Sequence, residues 1–234
     1  MKSNEVNLFE AEKIAWKIFT TALERGLIIA GKSEKELNAD LLEVSKEIAK
    51  TDVFWHKRIV RSGPNTLLPY RENPPDRIIS EDDILFFDFG PVLEKWEADI
   101  GMTWVIGNNP LKLKLKNDTE RAWKEGQKFM IENNNVTGAE VYDYVCKLAV
   151  KYGWEYGNEH CGHLIGEFPH EKLQGEIKRN YLHPENHISI HSYDLNNNPR
   201  YWILEIHFID RANQIGGFYE GFVGDLPGGR PSVS

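Results

Sequence analysis

Four carboxylates sit inside or at the end of apolar runs, and this pattern constrains the fold more than any other feature of the 234-residue chain. Asp88 ends Ile-Leu-Phe-Phe in Phe-Phe-Asp-Phe-Gly, and Asp99 follows eleven residues later in Glu-Ala-Asp-Ile-Gly-Met-Thr. Glu205 lies within Trp-Ile-Leu-Glu-Ile, and Glu220 within Gly-Gly-Phe-Tyr-Glu-Gly-Phe-Val. A buried ionised carboxylate is costly unless something pairs with it. A symmetric hairpin of 84–88 with 98–106 puts Asp88 opposite Asp99, and a second hairpin turning at Asp210–Gln214 puts Glu205 opposite Glu220. Directly opposed Cβ atoms lie roughly 4.5–5.5 Å apart. Like charges that close repel, and divalent cations turn the repulsion into attraction. His163, in Cys-Gly-His-Leu-Ile-Gly, supplies an imidazole between the two hairpins, with glycines that permit close backbone approach.

The rest of the chain suits an α+β domain. Ala11, Ala15, Ile18 and Ala22 recur at helical spacing. Ser33 with Glu36 reads as a capping box before the apolar face of Leu37, Leu41, Val44 and Ile48. Residues 1–50 are therefore expected as N-terminal helices. Gly63, Pro64, Pro69, Pro74 and Pro75 make 51–80 a Pro-rich irregular loop. Asn117 or Asp118 is expected to cap a third helix. Thr137 with Glu140 opens a fourth, and Gly153 stops it. Ile188–Tyr193, Trp202–Ile209 and Gly217–Val223 are predicted strands, and 228–234 a loose tail. One domain over 1–234 is the expected organisation.

Composition narrows the function. The net charge of −8 disfavours a phosphate backbone as partner, so no nucleic acid is expected. No apolar run approaches the ~18 residues of a membrane span, and the N-terminus lacks a signal-peptide core. The chain's only cysteines, Cys146 and Cys161, suggest no disulfide framework, so a cytoplasmic setting is expected. Cys161 reads as a small buried residue. Oxygen donors with one imidazole suit Mn, Fe, Co or Zn, and four carboxylates balance two divalent ions.

Asp-x-Gly, an Asp eleven residues on, Gly-His-x-x-Gly and two strand-borne glutamates resemble the pita-bread metallopeptidases, the family of methionine aminopeptidases, Xaa-Pro aminopeptidases and prolidases. The resemblance spans about residues 5–225, which corresponds to the catalytic domain alone. It implies a curved antiparallel sheet flanked by helices and two divalent transition-metal ions held by Asp88, Asp99, His163, Glu205 and Glu220. It further implies peptide hydrolysis by a metal-bridging hydroxide, formed from a water whose proton Glu205 takes and returns. His170, seven residues after His163 in Phe-Pro-His-Glu, resembles a histidine that contacts the substrate and steadies the tetrahedral intermediate. His56 resembles a second substrate-contacting histidine, separated from the first Asp by about a dozen extra residues. The family also admits a homodimer.

Three departures leave the substrate open. Glu205 is followed by Ile206-His207 where peptidases usually carry proline, the Glu205–Glu220 spacing is short, and Arg58 to Tyr70 follows neither the methionine nor the prolidase pattern. His207, on the strand face of Glu205, is either a second layer behind the metals or a plain sheet histidine. Arg58, Arg61 and Tyr70 either hold a substrate carboxylate or form a lid or dimer contact. Three functions are thus carried forward: an aminopeptidase or dipeptidase, with Xaa-Pro specificity among the options; an enzyme acting on a small non-peptide substrate by C–N hydrolysis or metal-dependent redox chemistry; and a non-catalytic binding module.

Overall fold

The computed structural model describes residues 3–169, 177–194 and 197–224. Helix α1 runs Asn4–Glu24 and α2 Glu34–Ile48, the latter opened by the Ser33/Glu36 capping box. Strand β1 (Ile59–Ser62) is followed by a 3-10 turn at Gly63–Leu67. Next come β2 (Asp83–Phe89), the small hairpin β3 (Val92–Leu93) with β4 (Trp96–Glu97), and β5 (Ile100–Ile106). Helices α3 (Pro110–Glu132) and α4 (Gly138–Tyr152) lead to β6 (Glu155–Tyr156), β7 (Gly162–Leu164), β8 (Trp202–Asp210) and β9 (Ile215–Phe222).

Seven strands form one antiparallel sheet in the order β1-β2-β5-β9-β8-β6, with β7 also pairing to β8. Alternation along the strands separates two faces. Phe87, Phe89, Leu204, Phe208 and Tyr219 project toward the helices. There Phe19 meets Phe87 at a tilt and Phe89 edge-on, Trp16 and Trp123 meet Tyr219, and Tyr152 meets Phe208. Asp88, Glu205 and Glu220 belong to the opposite face. The helix side is the apolar core; the other side is lined by the carboxylates and covered by connecting segments.

Four sequence expectations change. The 51–80 loop contains β1, because Ile59, Val60, Arg61 and Ser62 pair in register with Asp88 to Leu85. Helix α3 begins eight residues before the cap expected from sequence. Asn109 accepts from Leu111 and Lys112 N–H with Pro110 behind it, while Asp118 is buried, accepting from Lys114 and the Trp154 indole. Ile188–Tyr193 is not a strand. Ile190 is buried, and its N–H bonds Val136 O in a loop packed on the start of α4. The first hairpin also differs in register by two residues, with consequences for the site. The expected tail at 228–234 lies outside the described residues.

Candidate metal centre

The sheet register lines up a row across four strands. Asp88 on β2 pairs with Gly101 on β5, Gly101 with Glu220 on β9, and Glu220 with Glu205 on β8. The last pair is the one a symmetric second hairpin requires. Asp88 does not face Asp99: Phe89 pairs with Ile100, and the same register runs on into the β3–β4 hairpin. A shift of two residues keeps a side chain on its face, so Asp99 becomes the diagonal neighbour of Asp88 rather than its partner. Gly101 leaves the middle of the row open; a Cβ there would lie 2.4 Å from the Phe218 ring and 3.0 Å from Glu220 Cβ.

His163 joins from β7, whose Gly162–Leu164 pairs with Leu204–Trp202. Gly162 adopts φ 148°, and a Cβ there would meet Ile203 O at 2.0 Å, so only glycine brings this strand close enough. His163 Nε2 lies 3.0 Å from Asp99 Oδ2, 3.7 Å from Glu205 Oε1 and 3.8 Å from Glu220 Oε1. His56 faces the other side of the same aspartate, with Nε2 3.1 Å from Asp99 Oδ1 and 3.5 Å from Asp88 Oδ1.

Electrostatics show a site with too much negative charge for its depth. Burial lifts Asp88 to about 6 and Glu205 to about 8, with neighbouring carboxylates adding to both. Glu220 is pushed well above the carboxylate range for the same reasons, and its Oε2 is buried without a hydrogen-bond partner among the described residues. Asp99 is the exception: burial works to raise it, but His56 and His163 hold it below its ordinary value. Burial opposes charge on His56 as well, yet Asp88 and Asp99 outweigh it and raise the imidazole to about 9. The donor set therefore fits divalent cations. His56, Asp88 and Asp99 form one group of converging ligand atoms, and Asp99, His163 and Glu220 a second.

Other expected residues are placed differently. Arg61 is buried, and its guanidinium donates to the carbonyls of Leu68, Pro69, Tyr70 and Glu72. It shapes the 68–72 loop. His207 lies on the Glu205 face, but its Nε2 meets Thr66 O at 2.8 Å, and burial lowers it to about 4. It braces the 3-10 turn as a neutral ring. Tyr70 is partly exposed beside His56, with ring centroids 5.7 Å apart, and its hydroxyl accepts from Lys57 N–H. Arg58 stacks on Phe54 and donates to Asn38. His170 lies outside the described residues.

Two neighbours of the row, Asn158 and His160, have no role in the sequence reading, and a third, Trp55, reads there as packing. Asn158 donates to Glu205 Oε2 at 3.2 Å. His160 Nδ1 lies 3.5 Å from Glu205 Oε1, and burial lowers this imidazole to about 3. Trp55 packs edge-on against both His56 and His163 and donates to Ala98 O. The spacing His160-x-x-His163 was the available signal for one of them.

A sheet with helices on one face and a buried carboxylate–imidazole row on the other defines a pita-bread protein with a candidate metal centre. The profile of metallopeptidase family M24 matches residues 7–217, and the chain belongs to that family. It is 29% identical over 172 residues to an Xaa-Pro dipeptidase of Pyrococcus horikoshii, covering 71% of this chain and 47% of that one. The chain thus spans about half the length of that curated relative. Among solved structures, a prolidase from Thermococcus sibiricus superposes with a TM-score of 0.71 at 23% identity, over 93% of this chain and 55% of the other. A methionine aminopeptidase from Rickettsia prowazekii gives 0.69 at 14% identity, over 94% and 95%. These structural likenesses establish the fold. No helix among the described residues is long and apolar enough to cross a membrane.

Proposed function

We propose that the chain is a metal-dependent hydrolase of peptide bonds, an aminopeptidase or dipeptidase, with Xaa-Pro substrates the first class to test. The observation that carries this reading is the buried row itself: Glu205 directly opposite Glu220, Asp99 between two imidazoles, and a Glu220 oxygen with no hydrogen-bond partner among the described residues. Asp88, Asp99, His163, Glu205 and Glu220 would hold two divalent ions of the Mn, Fe, Co or Zn type. Bound there, such ions supply Lewis acidity and a water of lowered pKa.

The remaining work falls to the side chains. Glu205 is the proton carrier, since Asn158 fixes one of its oxygens and the other lies toward His163 and His160. Trp55 and Tyr70 wall the approach and limit water. His170 is assigned, with the family resemblance, to contact with the substrate carbonyl.

A second reading is C–N hydrolysis or redox chemistry on a small non-peptide substrate. The engagement of Arg61 with four loop carbonyls favours it, because the guanidinium expected to hold a peptide carboxylate is otherwise occupied. Metal content of the purified protein, beside Asp99→Ala, followed by a screen of dipeptides with the metal found, separates these. Metal lost in the variant and free amino acid released by the parent support the peptidase. Metal without amino-acid release moves the assignment to the second reading, with oxygen consumption pointing to redox chemistry. A parent that takes up no Mn, Fe, Co or Zn overturns both.

A further inference from the structure

Asp99 presents one oxygen to each of two histidines that are oriented alike. His163 Nδ1 meets the carbonyl of its own successor, Leu164, at 2.8 Å, and His56 Nδ1 meets the carbonyl of its own successor, Lys57, at 2.8 Å. A carbonyl only accepts, so Nδ1 carries the proton in both rings, and both Nε2 atoms face the carboxylates. A backbone carbonyl on the distal nitrogen is the arrangement that fixes a metal-ligating imidazole in tautomer and direction.

The distances agree with this role. Two donors each ~2.1 Å from a shared ion, at tetrahedral or octahedral angles, lie ~3.0–3.4 Å apart. His56 Nε2 stands 3.1 Å from Asp99 Oδ1 and 3.5 Å from Asp88 Oδ1. The ring is enclosed, with a side-chain exposure of 7%, and Gly90 clears its place: a Cβ at 90 would sit 2.3 Å from both His56 Nε2 and Cδ2. Gly90 follows Asp88 by two residues and, in the continued register of β2 and β3, lies across from Asp99. A larger residue there would expel the imidazole.

We propose that His56 is a metal ligand. It completes one ion with Asp88 and Asp99, as His163 completes the other with Asp99 and Glu220, so each ion has an imidazole of its own. The inference rests on the metal-hydrolase reading and replaces the expected substrate contact of His56, which would require Nε2 to face the cleft. It also separates His56 from a counter-ion role, in which a doubly protonated ring would neutralise the two aspartates and bind no metal.

The test is the proton NMR spectrum of the full chain loaded with cobalt(II). Each cobalt-bound imidazole gives one strongly shifted, solvent-exchangeable N–H resonance, here from an Nδ1 proton held by a carbonyl. Two such resonances are expected in the parent. One is expected in His56→Ala, with bound cobalt falling from two ions per chain to one. Affinity for the lost ion should drop by more than the ~10–100-fold that removing an outer-shell partner costs. A single resonance in the parent overturns the assignment without reliance on any variant. So does a His56→Ala protein that keeps both ions and an unchanged cobalt absorption spectrum; in both cases the hydrolase reading stands. A parent that binds no cobalt removes both together.

Discussion

Glu205 and Glu220 occupy matching positions on β8 and β9, yet their surroundings give them different work. Glu205 has Asn158 on one oxygen and His160 beside the other, whereas Glu220 Oε2 has no hydrogen-bond partner among the described residues. Glu205→Gln should keep the fold, hold metal more weakly and, at saturating metal, lower kcat by ~10²–10⁴, the range for loss of a general acid–base group; steady-state kinetics beside metal analysis would check this. Glu220→Gln should raise the thermal midpoint of the metal-free protein, since it removes a carboxyl group that burial and the neighbouring aspartates disfavour as a charge, and lower that of the loaded protein, which loses an anionic ligand. Melting curves with and without chelator distinguish the signs. Glycine positions show how strictly the backbone is specified. Gly162→Ala drives a Cβ into Ile203 O and should cost more than ~4 kcal/mol; Gly153→Ala, with nothing within 4 Å of its Cβ, should cost only the ~1–2 kcal/mol of a left-handed residue. Chemical denaturation of the pair measures the contrast.

At the scale of elements, legibility followed turn length. The Glu205–Glu220 pair could be read because Asp210–Gln214 is a tight turn that leaves one symmetric register. The first hairpin could not be read as well, because the β3–β4 extension moves the turn outward and Asp99 with it. The α3 cap was hidden by a lysine-rich start, Leu-Lys-Leu-Lys-Leu-Lys, whose alternation masks helical periodicity. Asn158 was invisible for a different reason, and His160 was signalled only by its spacing to His163: nothing else in their local sequence says that 156–164 folds back along β8.

Glu34 offers a test of how α2 is tied to β1. It accepts from Ser62 N–H and hydroxyl and from Asn65, while burial raises its pKa against those bonds. A carboxyl raised in the folded state keeps its proton where the unfolded chain has lost it. Its contribution is therefore fully present below the ordinary value, about 4.3, and is lost as pH rises through the raised one. The stability of Glu34→Gln relative to the parent should thus improve as pH rises from about 4 toward neutrality, and urea midpoints across that window would show it.

For the whole molecule, a site assembled from four strands of one sheet couples metal binding to global stability. Each ion at a hundred times its dissociation constant should add about 2.7 kcal/mol, provided the unfolded chain does not bind it. Chelation should therefore lower the midpoint of the entire transition rather than melt one segment. The same coupling explains which parts of the centre sequence alone conveyed. Residue types were legible because buried carboxylates are rare, but the second histidine's direction depends on Gly90 and on a carbonyl at Lys57, neither of which spacing encodes.

The Phe222 N–H donates to Glu12 Oε1 in α1, and Phe9 packs on Phe222 with ring centroids 4.9 Å apart. During synthesis on the ribosome, at about 5–20 residues per second, the first helix waits ~10–40 s for the strand that covers it. Phe19 can meet Phe87 and Phe89 earlier, but throughout that interval Phe9 and Trp16 lack the β9 rings they close on, Phe222 and Tyr219. Part of the apolar face of α1 therefore stays uncovered until β9 has emerged, a natural client for a chaperone at the tunnel exit, and the helix reaches its final packing only then.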